Sequence, residues 1–320
     1  MTAPRLAAVA VGRNEGERLV RSLASLQGRV SRIVYVDSGS TDGSVEAARA
    51  AGAEIVELDS GTLFTVSRAR NAGLFHLLET GETPDFIQFL DGDCEVQPGW
   101  LETALAFLET RPDIAAVSGR RRERYPDASI WNRIIDAEWQ KPSGETLACG
   151  GDVMMRRQAV EAAGGYDPDT IVGEEAELCI RMRREGWRIW QLDDEMTLHD
   201  VAMTKAAQWW RRTRRVGYGY GEGLARYGSA PERHKIAETR RAILWGLAVP
   251  ALALLGALVT PWALLVLLAW PVQMLRLMAR GETPLRSVFL VIGKVPEALG
   301  VLEFWIRRRL FRRAQRIDYK

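Results

Sequence analysis

The sequence predicts an α/β fold, a mostly parallel sheet covered by helices on both faces, followed by an apolar helical C-terminal region. Three observations carry that expectation. Short apolar runs alternate with helically spaced segments from Leu6 onward. Two long apolar stretches lie between residues 242 and 278. The charge changes sign between the two halves of the chain.

Leu6 to Val11 is a short apolar run and Arg32 to Val36 another; between them Leu19, Leu23 and Leu26 recur at helical spacing within Glu17 to Leu26. That is a strand, helix, strand unit. It continues as a helix near Ser44 to Ala51, a strand at Glu54 to Leu58, a helix at Ser67 to Leu78 and a strand at Phe86 to Leu90. Such alternation marks parallel strands joined by helical crossovers. Ligands of these sheets sit at the C-terminal strand ends, so the polar residues just past each strand are the ones to examine. With 320 residues, 47% of them hydrophobic, the chain holds one large domain, expected over 1–230, plus an appendage over 231–320; global disorder is excluded.

In the appendage, Ala242 to Val259 is almost wholly apolar, Thr260-Pro261 breaks it, and Trp262 to Met278 is apolar again apart from Gln273 and Arg276. As helices these reach roughly 27 and 25 Å, close to the ~30 Å of a bilayer core. A hydrophobic hairpin over about 242–278 is expected, with Pro250 and Pro271 able to kink its arms. Arg240 and Arg241 before it and Arg276 and Arg280 after it put both ends on the cytoplasmic side. Leu285 to Phe311 mixes Leu290, Leu299, Phe304 and Trp305 with Arg307, Arg308 and Arg309, followed by Arg312 and Arg313. It reads as a basic amphipathic helix lying in the membrane interface.

Residues 1–204 carry 22 Lys/Arg against 34 Asp/Glu, a net −12, and residues 205–320 carry 21 against 7, a net +14. An acidic half suits a bound cation, and a basic half beside apolar segments suits an anionic membrane face. No helix-turn-helix, zinc-finger or aromatic RNA-binding signature accompanies the basic residues, so no nucleic-acid partner is expected. Cys94, Cys149 and Cys179 are odd in number and lack metal-ligand spacing, which reads as small buried thiols in a reducing compartment. Met1 to Arg5 runs into the first strand without a signal-peptide core, so the first domain is expected in the cytoplasm, held at the inner membrane by the hairpin.

The chemistry-bearing residues follow strand ends. Gly12-Arg13-Asn14-Glu15 comes after the first strand, and Asp37-Ser38-Gly39-Ser40-Thr41-Asp42-Gly43-Ser44 after the second. The latter suits a carboxylate and hydroxyls presented to a ribose or base, although Ser40, Thr41 and Asp42 are also ordinary turn and cap residues. Phe89-Leu90-Asp91-Gly92-Asp93 is sharper, a strand ending in two carboxylates that a glycine turn lets converge on one oxygen-ligated cation, Mg²⁺ or Mn²⁺. Farther on, Glu174 and Glu175 open a helix and can project an acid able to deprotonate a hydroxyl, while Glu177 reads as a first-turn acid.

Taken in order, Asn14-Glu15, Asp37 to Ser44, Arg70-Asn71-Ala72-Gly73, Asp91-Gly92-Asp93, Gly164-Gly165-Tyr166-Asp167 and Glu174-Glu175 with Leu178 and Arg181 closely resemble the family 2 glycosyltransferases of the GT-A fold. The resemblance covers about residues 5–225. It implies nucleotide or donor contacts at Asn14, Glu15, Asp37, Arg70 and Asp91, metal and diphosphate at Asp91 and Asp93, and a general base at Glu175, with inversion at the anomeric carbon. The usual second acid of the pair is Asp; Glu175 moves its carboxylate by roughly 1.5 Å. Leu198-His199-Asp200 resembles the late His that completes the metal site in some members. Gln208-Trp209-Trp210-Arg211-Arg212 is similar to the Gln-x-x-Arg-Trp motif of processive members, but Arg212 stands where Trp is expected, which implies one sugar per encounter. Glu174, Gln208 and Trp209 are then acceptor-side candidates, with Trp209 and Trp210 equally readable as a membrane-surface collar. The expected donor is a UDP-sugar and the expected acceptor a polyprenyl-linked one. Transfer onto polyprenyl phosphate itself, and a non-catalytic nucleotide-sugar-binding subunit, stand as alternatives.

Overall fold

The computed structural model describes residues 5–59, 61–62 and 64–311; Met1 to Pro4, and Arg312 and Arg313 of the expected interfacial helix, lie outside them. The chain divides into two compact units, the first ending at Ala202 and the second beginning at Met203.

The first unit runs β1 (Leu6–Gly12), α1 (Glu17–Ala24), β2 (Arg32–Asp37), α2 (Ser44–Ala50), β3 (Glu54–Glu57), α3 (Val66–Glu79), β4 (Phe86–Asp91), β5 (Cys94–Val96), α4 (Trp100–Glu109), β6 (Ile114–Glu123), α5 (Ile130–Trp139), β7 (Gly144–Thr146), β8 (Val153–Arg156), α6 (Arg157–Ala162), α7 (Glu174–Arg184) and β9 (Arg188–His199). The strands form one sheet in the order β3-β2-β1-β4-β8-β6-β9-β5, with β7 added on β9. β3, β2, β1 and β4 pair in parallel, as the alternation predicts. Beyond β4 the sheet turns mixed, since β8 runs antiparallel to both β4 and β6 while β6 and β9 are parallel. The result is the mostly parallel α/β sheet that the alternation predicts, with an antiparallel strand inserted beyond β4.

Both faces of the sheet are buried, which explains the unbroken apolar β1. Ala7, Val9 and Val11 face a core shared with Leu74 and Leu77 of α3 and Leu178 and Met182 of α7. Leu6 and Ala8 face a second core with Trp100, Ala104 and Leu108 of α4. Ala10 joins a third with Leu19, Leu23 and Tyr35. The buried Gln88 is satisfied by accepting from Trp100 Nε1 at 3.0 Å. Gly73 lets α3 approach the sheet; a Cβ there would stand 2.4 Å from Val9 Cγ1 and 3.0 Å from Val36 Cγ2.

The second unit is helical: α8 (Ala206–Tyr227), α9 (Ile236–Ile243), α10 (Val249–Ala257), α11 (Ala269–Met278), α12 (Pro284–Ile292) and α13 (Lys294–Phe311). Packing divides the chain earlier than the boundary after residue 230 expected from sequence, because α8 packs along α13. The approach is close. A Cβ at Gly217 would stand 2.0 Å from the Glu297 carbonyl oxygen, and one at Gly300 would stand 1.9 Å from that of Arg214. Where one amphipathic helix was expected to lie in the membrane interface, two helices stand, and α13 gives the face of Val301 and Phe304 to its own unit's core.

The hairpin arms are Ile236–Ala257 and Pro261–Met278, both long and apolar enough to cross a membrane. A π segment at Leu244–Ala248 ends two residues before Pro250, whose missing N–H interrupts the ordinary helical ladder. The second arm begins as a 3₁₀ helix over Pro261–Leu268. Trp270 Nε1 donates to the Trp245 carbonyl at 3.1 Å and ties the arms together. Leu258, Val259 and Trp262 at the tip are largely exposed.

Gly73→Val should destabilise the first unit by about 1–3 kcal/mol, since the added methyls overpack the α3–sheet contact. A lowered urea midpoint with unchanged secondary structure is expected; an unshifted midpoint would mean that α3 does not sit this close to β1.

Candidate functional site

β1, β2 and β4 end side by side, with Gly12 opposite Asp37 and Val11 opposite Asp91. The polar loops that follow therefore meet at one edge of the sheet. Asn14 adopts positive φ (56°); its backbone N–H donates to Ser40 Oγ at 2.9 Å, and its Oδ1 accepts from the Thr41 N–H at 2.8 Å. Asp37 is buried, and both its oxygens are engaged within this loop: Oδ2 accepts from the Gly39 and Ser40 N–H groups, and Oδ1 from the Tyr35 and Ser40 hydroxyls. Asp37 thus shapes the loop from beneath. Glu15 pairs with Arg18 at 2.7 Å, and its Cγ lies against the position a Cβ of Gly92 would take.

The centre of the site is Arg70, on α3 and only 1% exposed. Its Nη2 donates to Asp91 Oδ1 at 2.9 Å, while Nη1 reaches Glu175 Oε1 at 2.5 Å and Glu174 Oε1 at 3.2 Å. The ring of Tyr166 lies 5.5 Å below the guanidinium. Burial opposes the charge, but Glu175, Asp91 and Glu174 outweigh it and keep Arg70 firmly protonated. Gly173, at φ 85°, turns the chain into α7 and so delivers the two glutamates to Arg70. Gly151 has to be glycine, because a Cβ there would stand 2.5 Å from Arg70 Nη2 and 3.0 Å from Asp91 Oδ2.

Asp91 is bracketed. Its Oδ2 accepts from Arg121 Nη2 at 3.2 Å, and the same nitrogen stands 2.7 Å from Asp152 Oδ2. Asp152, fully buried, also accepts from the Asp91 N–H and the Thr197 hydroxyl. Burial works against the charge on Asp91, yet Arg70 and Arg121 hold its carboxyl below the usual range. Asp93 lies 3.3 Å from His199 Nε2. Burial opposes its ionisation too, but His199, Arg18 and Arg121 hold it well below the usual range. On the other side of the ring, His199 Nδ1 has no hydrogen-bond partner and stands 4.0 Å from Glu123, whose carboxyl burial pushes up. Trp139 meets the His199 ring edge-on at 4.8 Å and lies under Arg121 at 5.5 Å.

Ligand atoms of Asp93, Cys94 and His199 lie within 4.8 Å of one another, as do those of Asp91, Cys94 and Asp152. Carboxylate oxygens with one imidazole nitrogen fit a hard or borderline divalent cation such as Mg²⁺ or Mn²⁺. Cys94 adds little, because burial drives its thiol far up and keeps it protonated.

Of the residues expected from sequence, Arg70, Asp91, Glu174 and Glu175 meet in one ion-paired cluster, and Asp93 with His199 forms its neighbour. Asn14, Glu15 and Asp37 line the loops at the same edge. Gln208 and Trp209 belong to the second unit: Gln208 Oε1 caps α8 by accepting from the Thr204 and Lys205 N–H groups, and Trp209 packs edge-on against Phe289 at 5.1 Å. Trp209 is buried, so only Trp210 fits an exposed collar. Sequence reading missed Arg121, Asp152, Glu123 and Trp139. Arg121 is hidden among arginines; strand alternation turns it toward Asp91 and Asp152 while Arg120 and Arg122 pair with the outer acids Asp193 and Glu195.

An acidic, arginine-braced cluster thus stands at the C-terminal strand ends of an α/β sheet, the edge at which such sheets take their ligands. Residues 9–163 match the family described as Glycosyl transferase family 2. The chain is 28% identical over 222 residues to the succinoglycan biosynthesis protein ExoA of Rhizobium meliloti, across 66% of this chain and 64% of that one. It is 28% identical to the pre-mycofactocin glycosyltransferase of Mycobacterium tuberculosis, across 59% and 41%. A glucosyl-dolichyl phosphate glucuronosyltransferase of Haloferax volcanii matches at 27% identity, across 31% and 37%. The chain therefore spans from about a third to just under two thirds of the length of these relatives. In fold it is similar to the mannosyltransferase PcManGT from Pyrobaculum calidifontis, solved with GDP-Man and Mn²⁺, with a TM-score of 0.62 and 20% identity over 94% of this chain and 88% of that one.

Arg70→Met should cost about 3–5 kcal/mol, because it strands Asp91, Glu174 and Glu175 without their counter-charge. Asp91 has a depressed carboxyl in the folded state, so its share of stability is present above the unfolded value near ~3.9 and fades as pH falls below it. The deficit of the variant should be widest near neutral pH and narrow in acid. Hydrogen exchange of β4 and α7 amides across pH would read this; a pH-independent deficit would remove the ion-pair explanation.

Proposed function

We propose that the chain is a membrane-attached, metal-dependent glycosyltransferase that moves one sugar, with inversion, from a nucleoside-diphosphate donor to a hydroxyl of a polyprenyl-linked acceptor. The observation that carries this reading is Arg70, which joins the carboxylate at the end of β4 to the acid pair opening α7. Donor and acceptor chemistry would then share one electrostatic unit.

In this reading the Asn14 loop and the Asp37 loop seat the nucleoside, and Arg70 and Arg121 keep Asp91 ionised and oriented beside it. Asp93 and His199 would hold a divalent cation, whose charge would neutralise the negative charge of a leaving diphosphate. Glu175 takes the proton of the acceptor hydroxyl. With 16% of its side chain exposed against 8% for Glu174, it is the more open of the pair. Glu174, packed deeper, orients the arginine and the helix start. UDP-sugars are the donors to test first, with GDP-mannose beside them.

Membrane attachment is inferred from the two apolar arms and their exposed leucines and tryptophan, flanked by Arg240, Arg241, Arg276 and Arg280. The same charge pattern supports a hairpin with both ends, and a catalytic unit, on the cytoplasmic side of the inner membrane. The decisive experiment incubates detergent-solubilised protein with a panel of nucleotide sugars and Mn²⁺ and reads released nucleoside diphosphate with and without lipid extract. Release that depends on extract is expected; donor binding without release under any condition would favour a non-catalytic subunit.

Asp93→Ala should abolish turnover and the Mn²⁺ dependence of donor binding, since a carboxylate oxygen is lost from the cation site. Calorimetry with and without Mn²⁺ decides, and metal-dependent affinity that survives in the variant would take Asp93 out of the site. Glu175→Gln should lower turnover by about 10²- to 10⁴-fold while donor affinity stays within a few-fold. If Glu174→Gln abolishes turnover and Glu175→Gln spares it, the base is Glu174.

A further inference from the structure

Cys149 and Cys179 are 30 residues apart in sequence, yet their sulfurs lie 3.5 Å from each other. Both are free thiols, and both belong to the core shared by α3 and α7. Cys149 keeps 7% of its surface at the start of the loop before β8, whereas Cys179 is fully buried. Each connects to the acid cluster. Two residues after Cys149 comes Gly151, whose missing Cβ makes room for Arg70 Nη2 and Asp91 Oδ2. Cys179 stands four residues, one helical turn, after Glu175.

We propose that Cys149 and Cys179 are a reversible oxidation site for peroxide-class oxidants, closing to a disulfide that displaces the Gly151 loop against Arg70 and disables the acid cluster. The chemistry balances within the pair. One sulfur, as thiolate, attacks the peroxide, breaks its O–O bond and becomes a sulfenic acid; the second sulfur then attacks it, expels the oxygen as water and forms the S–S bond. Two thiols are oxidised by two electrons, and one hydrogen peroxide is reduced to two waters. The hydrogen bond between the two sulfurs pulls the Cys179 thiol down and pushes the Cys149 thiol up, with burial raising both, so the pair is electrostatically coupled as well as in contact. Closing to the ~2.05 Å of a disulfide draws the sulfurs about 1.5 Å together. A shift of about that size costs a tuned site roughly 10²-fold.

The effect on turnover rests on the glycosyltransferase reading; the bond itself does not. The full chain in detergent is treated with stoichiometric hydrogen peroxide, alkylated under denaturing conditions and mapped by peptide mass, with turnover measured in parallel. A Cys149–Cys179 linked peptide is expected, together with a free Cys94, a fall in turnover of roughly 10²-fold, and recovery of both with dithiothreitol. Cys149→Ser should keep the turnover of the reduced enzyme and lose its response to peroxide, and Cys179→Ala should do the same should the first variant fold poorly. Three free thiols after treatment, or a link through Cys94, would overturn the proposal. A linked peptide with unchanged turnover would overturn the coupling to the site. Should no donor be turned over at all, the functional reading fails while the linked peptide still decides the oxidation site.

Discussion

The candidate site depends on one buried guanidinium. Taking Arg70 out of water is expensive unless its charge is answered at close range, and the answer comes from Asp91, Glu174 and Glu175, which lie 21, 104 and 105 residues away. Because a single cation serves all three, the end of β4 and the start of α7 cannot move independently without leaving a charge stranded. The surrounding sequence reflects this: glycine at 151 lets the loop pass over the guanidinium, and glycine at 173 makes the left-handed turn into α7. Even with Arg121 added, the carboxylates around it outnumber the arginines, and that surplus is what a divalent cation would neutralise.

The sheet explains why these groups can converge. Parallel pairing of β2, β1 and β4 brings their C-terminal ends to one edge, so the polar loops meet without any strand having to bend. The antiparallel entry of β8 changes what lies beyond. It brings the segment around Asp152 back to the end of β4, and the parallel β6–β9 pair places Arg121 beside Thr197 and Glu123 beside His199. Strand alternation sets Arg121 on the opposite face from Arg120 and Arg122, and Arg121 is the one that meets Asp91 and Asp152.

The second unit follows a different rule. Its helices come together where side chains are absent: Gly217 and Gly300 on the α8–α13 contact, and Gly246, whose Cβ would stand 1.8 Å from the Lys294 carbonyl oxygen. Small residues that let backbones approach closely are the usual means of packing helices where apolar burial supplies little driving force. Such packing also accounts for α13 not lying free as an amphipathic helix, since its inner face is committed to α8.

Residue pattern alone determined the order and type of the elements from β1 to α3, the strand that ends at Asp91, the helix that opens at Glu174 and the two apolar arms. Each of these rests on local physics: periodicity, helix-capping and turn chemistry, and apolar length are written in consecutive residues. Tertiary structure alone decided that Arg70 belongs to the acid pair as much as to Asp91, that Arg121 rather than Arg120 or Arg122 faces the cleft, and that Cys149 and Cys179 touch. It also decided that α8 belongs with the helices after it and that Trp209 is buried. The reason is the same in every case. Which of several like residues is turned inward, and which distant segments share one counter-charge, follows from strand register and backbone approach between segments far apart in sequence, and no window of neighbouring residues encodes these.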